Sequence, residues 1–295
     1  SFPGDAIDRE RAAMTADLEE LLEDPASRAF REMRTRLWDG QGYGIPKSGT
    51  LESLARLSRL DLSAQHAKHF VASNMVCAFF GDLDPDATIA ALEKSLGSLP
   101  TGQSIPSGDP LPTQSGEHSL TLDKEQAVLA IGYPSLTQDD PRRFALELID
   151  AWCSDMAGPL FTRIREELGL AYYVGSSQFL GLNTGLFAFY LGTAPDQLDF
   201  ARRELEAEIE KLVEEGIPPK ALARVKANTE AREDLRNQSP AARARMASLD
   251  VLLGHPADQH LHLFQKLNEV TPEEIHSLAR ELFAPEKALV TTVTP

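Results

Sequence analysis

Cysteine is scarce in this sequence: among 295 residues only Cys77 and Cys153 carry a thiol. Both stand in apolar surroundings with no Cys-x-x-Cys pair. That points to buried free thiols, not to a disulfide framework or a metal knuckle, and it assigns no compartment. Long apolar runs are also missing. Nothing reaches the roughly 18 consecutive apolar residues of a spanning helix, so no membrane span is expected. Positive charge is short, with 29 Lys and Arg against 45 Asp and Glu and a net charge of −16. A surface of that sign repels phosphate and argues against a nucleic-acid partner. It serves solubility, with attraction of basic peptides as the functional alternative. Residues 1–8 lack the basic and apolar regions of a signal peptide and an initiator Met, so the chain is expected to begin inside a longer product. The seven histidines form neither His-Glu-x-x-His nor His-x-x-Glu-His. His66 and His69 lie three apart on a helical stretch without the Glu that would act as base. His260 and His262, two apart, do not share a helix face. No catalytic residue and no metal ligand is therefore assigned within the chain.

What is present is material for two domains, with 42% apolar residues to build cores. Residues 101–117, TGQSIPSGDPLPTQSGE, hold three prolines and three glycines and almost no apolar pattern. Such a stretch reads as an extended linker between residues 1–100 and 118–295. The two parts echo each other. Leu54, Leu57, Leu62 and Phe70 recur as Leu267, Val270, Ile275 and Phe283, a constant offset of 213 residues. In each part an apolar strand follows, Met75–Phe80 and Ala288–Val293. A helix, a bend and a β-rich run at one offset suggest an internal duplication. The first copy would then lack about 90 residues at its start and be a partial domain, and the second would be complete.

The second part reads as α+β, with antiparallel sheets packed on helices. Ser119–Tyr133 is β-rich, and 140–164 carries apolar residues at helical spacing, with Pro141 suited to a first turn. Ala171–Gln178 and Gly185–Gly192 suit an antiparallel pair. A long helix through Glu215 closes at Gly216, and another starts at Pro218-Pro219. In the first part, helices over 5–23 and 26–38 precede a glycine-rich loop, DGQGYGIPKSGT (39–50). That loop follows a helix and lacks the strand–loop–helix setting of a phosphate cradle.

The richest segment is PLFTRIREELGLAYYVGSS, residues 159–177. A helix bearing Arg163 and Arg165 ends at Gly169, and a Tyr-rich strand follows. Arg165 and Tyr172 thus fall near one helix–strand corner, where guanidinium and phenol could donate to the carbonyls of an extended peptide. The plainer alternative pairs Arg165 with Glu166, Glu167 or another acid and leaves Tyr172 an ordinary strand aromatic.

Arg-Glu-Glu-Leu-Gly-Leu-Ala-Tyr-Tyr-Val (165–174), preceded by Gly-Pro-Leu-Phe (158–161), closely resembles a signature of the pitrilysin/insulinase family of zinc metallopeptidases, which includes the mitochondrial processing peptidases. Asp5–Arg11, Tyr43-Gly44-Ile45-Pro46 with Gly49-Thr50, and Asn74-Met75-Val76 leading to Gly81-Asp82 support the likeness, and the linker falls where that family joins its homologous domains. The resemblance implies a metallopeptidase-type duplicated domain, one copy partial and one complete. It implies that Arg165 and Tyr172 contact the peptide substrate's backbone opposite a zinc domain. The zinc motif would lie outside this chain, and Asp17, preceded by Ala16, occupies the position of the family's third ligand, a Glu. Asp is one methylene shorter, so that geometry would not be reproduced directly. The chain then resembles a non-catalytic C-terminal half or subunit, inactive alone, whose partner is the zinc-bearing half or subunit. Zinc would be the cofactor of the complete enzyme, with none in this chain. Two other readings are a remnant of a peptidase whose zinc motif lies upstream and a same-fold scaffold or assembly protein without peptidase role.

Overall fold

The computed structural model describes residues 2–105 and 108–295. In chain order its helices are α1 (Gly4–Glu23), α2 (Pro25–Leu37), α3 (Leu51–Arg56), α4 (Arg59–His69), α5 (Pro85–Leu96), α6 (Arg143–Cys153), α7 (Leu198–Glu215), α8 (Pro219–Asn237), α9 (Pro240–Leu252), α10 (Leu263–Glu269) and α11 (Pro272–Leu282). A π-helix spans Leu160–Glu167. Five strands, β1 (Gly116–Thr121), β2 (Ala127–Ser135), β3 (Tyr173–Leu180), β4 (Gly185–Thr193) and β5 (Leu289–Thr294), form one sheet in the order β1-β5-β2-β4-β3. The architecture is α+β, as the sequence pattern implies.

The chain folds into two compact units. One comprises residues 11–55, 107–227 and 267–295, and the other residues 1–10, 56–106 and 228–266. Helices α1, α3, α8 and α10 are each divided between them. These units do not follow the cut at 101–117, because α2 belongs with the strands of the later part of the chain.

The first unit contains the sheet. Its strands alternate, and one face meets α2. Asp24 caps that helix by accepting from the Ser27 N–H at 2.7 Å, and Pro25 fits its first turn, where no amide partner is needed. Ala29, Met33 and Leu37, spaced at i, i+4 and i+8, then fall on one stripe and are fully buried. Met33, Leu37 and Trp38 pack on Ala130, Leu186, Ala188 and Leu289. The approach is close enough that a Cβ at Gly132 would stand 2.5 Å from the Met33 sulfur. Position 132 therefore admits only glycine while Met33 keeps its place. The opposite face carries Tyr133, Phe187 and Phe189, which meet Phe283 at ring separations of 5.1–5.3 Å.

Three expectations change. The β-rich stretch 119–133 is two strands broken at 122–126, and β1 pairs with β5 in parallel, so the sheet is mixed. Parallel pairing is available because β1 and β5 are joined by a long crossover and not by a hairpin. The single helix expected over 140–164 is α6 followed by a separate π-helix. The break falls at Gly158, where a Cβ would stand 2.2 Å from the Trp152 carbonyl oxygen. Met75–Phe80, expected as a strand, has no assigned element and joins no sheet.

The second unit has little buried apolar surface. Val71 lies under Gly102, and the Ala72 and Ser73 amides donate to the carbonyls of Pro100 and Thr101 at 2.9 and 3.0 Å. His260 and Asp250 form a buried pair, with Nδ1 2.7 Å from the carboxylate. No helix among the described residues is long and apolar enough to cross a membrane.

Two outcomes check this description. Met33→Ala removes a fully buried side chain from the α2–sheet contact and should cost about 2–5 kcal/mol, read as a lower urea midpoint at unchanged m. A midpoint within error of the parent would contradict the packing. Burial, aided by the nearby Glu206 charge, pushes the Tyr133 phenol up to about 12 from its ordinary 10.0. The folded state therefore keeps a proton that the unfolded chain releases at lower pH. Stability should be intact below about pH 10 and fall toward pH 12, by up to about 1.4 kcal/mol per pH unit. Tyr133→Phe should flatten that alkaline slope, and an unchanged slope would remove Tyr133 as its source.

Candidate functional site

The corner read from the sequence is built by three local devices. Pro159 leads into the π-helix, where the Leu168 N–H reaches back five residues to the Arg163 carbonyl at 3.1 Å. Such wide turns are rare and concentrate at functional sites. Gly169, at φ +64°, ends the helix in the left-handed region, and the Leu170 N–H closes onto the Ile164 carbonyl at 2.9 Å. The chain then joins the sheet when the Tyr172 N–H donates to the Gly192 carbonyl at 2.8 Å. Leu160 and Ile164 point into the core and hold the π-helix down.

The two arginines of this helix separate cleanly. Arg163 donates to Glu167 at 3.1 Å and to Glu204 at 3.2 Å. Those carboxylates, Glu167 first, raise its pKa above the ordinary guanidinium value. Arg165 has neither a hydrogen bond nor an ion pair among the described residues, although Glu166 and Glu167 adjoin it. It is exposed, with its guanidinium 4.9 Å from the centre of the Phe161 ring. Stacking of this kind orients a guanidinium while leaving its donors available. The pairing of Arg165 with a neighbouring acid, the plainer reading of the sequence, is not adopted.

The neighbouring tyrosines also divide. Successive strand residues face opposite ways. Tyr173 lies over Gly192, where an added Cβ would stand 2.4 Å from its ring, and burial pushes its phenol up to about 12. Tyr172 is 61% exposed, so its hydroxyl is free to meet a ligand. Arg165 and Tyr172 therefore stand at the two ends of the turn 168–171, both exposed, with no hydrogen bond between them.

β3 ends the sheet, yet its outer edge is occupied near its middle. The Ser176 N–H donates to the Ser154 hydroxyl at 3.2 Å, and the Ser176 hydroxyl donates to Asp150 at 2.6 Å. Gln178 donates to Glu147 at 2.6 Å. Side chains thus take the place of a further strand along this edge. Sequence reasoning missed this network, since Asp150 and Ser176 are 26 residues apart and carry no motif. The Tyr43-Gly44-Ile45-Pro46 loop proves to be a clamp on the β3–β4 hairpin. The Tyr43 hydroxyl accepts from the Leu182 N–H at 3.0 Å, and its ring packs on Phe179 at 4.9 Å. A cleft of about 890 Å³ opens beside α7, floored by Ile131, Tyr133 and Val290; neither Arg165 nor Tyr172 lines it.

Among the described residues no three His, Cys, Asp or Glu side chains gather where they could hold a metal ion. The histidines serve other ends. His66 stacks on Phe70 at 4.7 Å, His118 lies 3.1 Å from Glu32, and His276 is 3.0 Å from the Val213 carbonyl. Asp17 is an exposed residue of α1. Among the described residues no group of side chains fits a zinc ion.

Comparison with known proteins bears on the family and the fold. A curated relative in Rickettsia felis, named an uncharacterized zinc protease, is 27% identical over 218 residues, which are 72% of this chain and 52% of the relative. A relative of the same description in Streptomyces coelicolor is 24% identical across 96% of this chain and 64% of its own length. The chain thus spans about half to two thirds of such relatives. The crystal structure of a peptidase M16 inactive domain from Pseudomonas fluorescens superposes with a TM-score of 0.91 at 21% identity, covering the whole chain and 71% of that structure. The family model for the peptidase M16 inactive domain matches residues 56–229, more than half of the sequence. By that match the chain belongs to the peptidase M16 family, the same family of zinc peptidases that its corner signature resembles.

Proposed function

We propose that this chain is the substrate-binding, non-catalytic portion of a zinc metalloendopeptidase. Arg165 and Tyr172 hold the backbone of a peptide substrate opposite a zinc site carried by another half or subunit. The observation behind this reading is the state of Arg165. In a chain of net charge −16, beside two glutamates, its guanidinium keeps its hydrogen-bonding capacity for something outside the described residues. Five fixed donors on a planar cation match the carbonyl groups of an extended peptide, and the exposed Tyr172 phenol adds one more. Contacts to carbonyls are indifferent to side-chain identity, so the pair would steady many sequences without selecting one.

The occupied outer edge of β3 fits the same division of labour. A substrate strand would add to a sheet in the zinc-bearing half, and this corner would close over it. The zinc-protease names of the relatives support zinc in the complete enzyme. The alternative of a trimmed peptidase with its own zinc motif upstream is weighed down by Asp17, whose shorter side chain stands where the family has Glu.

The test is a peptidase assay on the assembled enzyme, with the zinc-bearing half present. Losing a charged hydrogen-bond donor costs about 1.5–3 kcal/mol, so Arg165→Ala should lower kcat/KM roughly 10- to 150-fold. Tyr172→Phe should give a smaller loss. Unfolding midpoints of both variants should stay near the parent's, since both side chains are exposed. Undiminished cleavage by Arg165→Ala would reject the assigned role.

A further inference from the structure

The cleft beside α7 is lined wholly by residues of the unit that holds the sheet. Strand pairing sets its floor. Ile131 of β2 lies opposite Val290 of β5, and Tyr133, two residues on, faces the same way. Phe283 adds its ring 5.3 Å from that of Tyr133. All four side chains are buried.

The wall is one face of α7. Arg202, Glu206, Glu210 and Glu214 follow at intervals of four, so they form a single row along the helix. Glu117 joins them from β1 and Glu286 from the turn before β5. With Arg203, two arginines face five glutamates around the cleft, an excess of three negative charges. The arginines are already engaged. Arg202 donates to Glu117 at 2.6 Å and to Glu206 at 2.8 Å. Arg203 donates to the Asp199 carbonyl at 3.3 Å and lies over the Phe200 ring. The carboxylates of Glu210, Glu214 and Glu286 have no hydrogen bond or ion pair among the described residues.

A row of exposed glutamates is ordinarily a solvated helix face and by itself indicates no ligand. The floor supplies an independent sign. Tyr133 is only 4% exposed, yet its hydroxyl has no hydrogen-bond partner among the described residues. Its ring neighbours, Phe189 and Phe283, offer none. Native structures seldom leave a buried polar group unpaired. The Glu206 charge acts on this phenol, so a cation beside the hydroxyl would also feel that carboxylate.

We propose that the cleft binds a small amphipathic organic cation, a primary amine or guanidine carried on an aromatic or branched aliphatic body. The body lies on Ile131, Val290 and Phe283. The head donates to the Tyr133 hydroxyl oxygen and to the glutamates at the rim, where water still reaches it and its charge need not be buried. The volume of about 890 Å³ suits such a molecule, since small-molecule clefts of roughly 300–1,000 Å³ combine an apolar lining with a few polar groups. An anion would meet excess negative charge, with both arginines already in use. A purely apolar molecule would leave the Tyr133 hydroxyl unpaired.

Calorimetric titration of the 295-residue chain at low salt and about pH 7 tests this, because salt screens exposed charges. Tryptamine carries both body and charge. Tryptophol keeps the body, ethylamine keeps the charge, and an acetylated Lys-Trp-Lys amide presents the same groups within a peptide. Tryptamine should bind at least about tenfold more tightly than tryptophol or ethylamine. Glu210→Gln, Glu214→Gln and Glu286→Gln combined should lower its affinity about tenfold, and Tyr133→Phe about three- to tenfold. The unfolding midpoint of the triple variant should stay with the parent's, since all three side chains are exposed. Equal affinity for tryptamine and tryptophol, or tryptamine binding undiminished in the triple variant, would overturn the proposal. Binding of the peptide without binding of tryptamine would make the cleft a peptide-docking surface and overturn it equally.

Discussion

The contact on which this molecule turns is the seam between α2 and the sheet. Ala29, Met33, Leu37 and Trp38 are fully buried there, and the sheet makes room by carrying Gly132, Ala130 and Ala188 beneath them. The same helix end reaches the β3–β4 hairpin, where the Trp38 indole donates to Thr184 at 3.0 Å. Tyr43 and Arg34 complete that clamp, with the Arg34 guanidinium 4.3 Å from the Phe179 ring centre and its pKa lowered by burial. A hairpin held in this way gives β3 a fixed line, and Tyr172 and the π-helix are registered against it. The geometry of the corner thus depends on a helix more than 120 residues earlier in the chain.

That dependence explains a division of the side chains at the corner. Groups that secure the fold are spent on partners: Arg163 on Glu167 and Glu204, Tyr173 on the surface over Gly192, Ser176 on Ser154 and Asp150. Arg165 and Tyr172 are their immediate neighbours and have no comparable partner. Alternation along a strand turns Tyr172 and Tyr173 to opposite sides, and Arg163 and Arg165, two apart on a helix, do not share a face either. The acidic surroundings of Arg165 make its solitude informative, since a surface guanidinium amid glutamates usually finds one.

Much of this was legible in the sequence because it is written locally. The helices over 5–23 and 26–38, the stop at Gly216 and the start at Pro218-Pro219 are set by residues within short windows. The corner signature carried the family; the roles of Arg165 and Tyr172 belong to the proposal. What escaped was long-range. Nothing near Gly116 or Leu289 announces that β1 and β5 run parallel, and no spacing rule joins Asp150 to Ser176. The run 140–164 keeps helical periodicity across a real break, because apolar spacing continues while Gly158 removes the Cβ that would have prevented the turn. Met75–Phe80 has the composition of a strand but not the partner, and composition does not report partners.

The central claim is that peptide-holding groups belong to this polypeptide and metal-holding groups do not. Zinc content, measured by elemental analysis after dialysis of the folded 295-residue chain against micromolar zinc and then metal-free buffer, addresses it most directly. The account predicts zinc far below one equivalent per chain. One equivalent retained through dialysis would contradict it, and the assignment of this chain as the non-catalytic portion would fall with it.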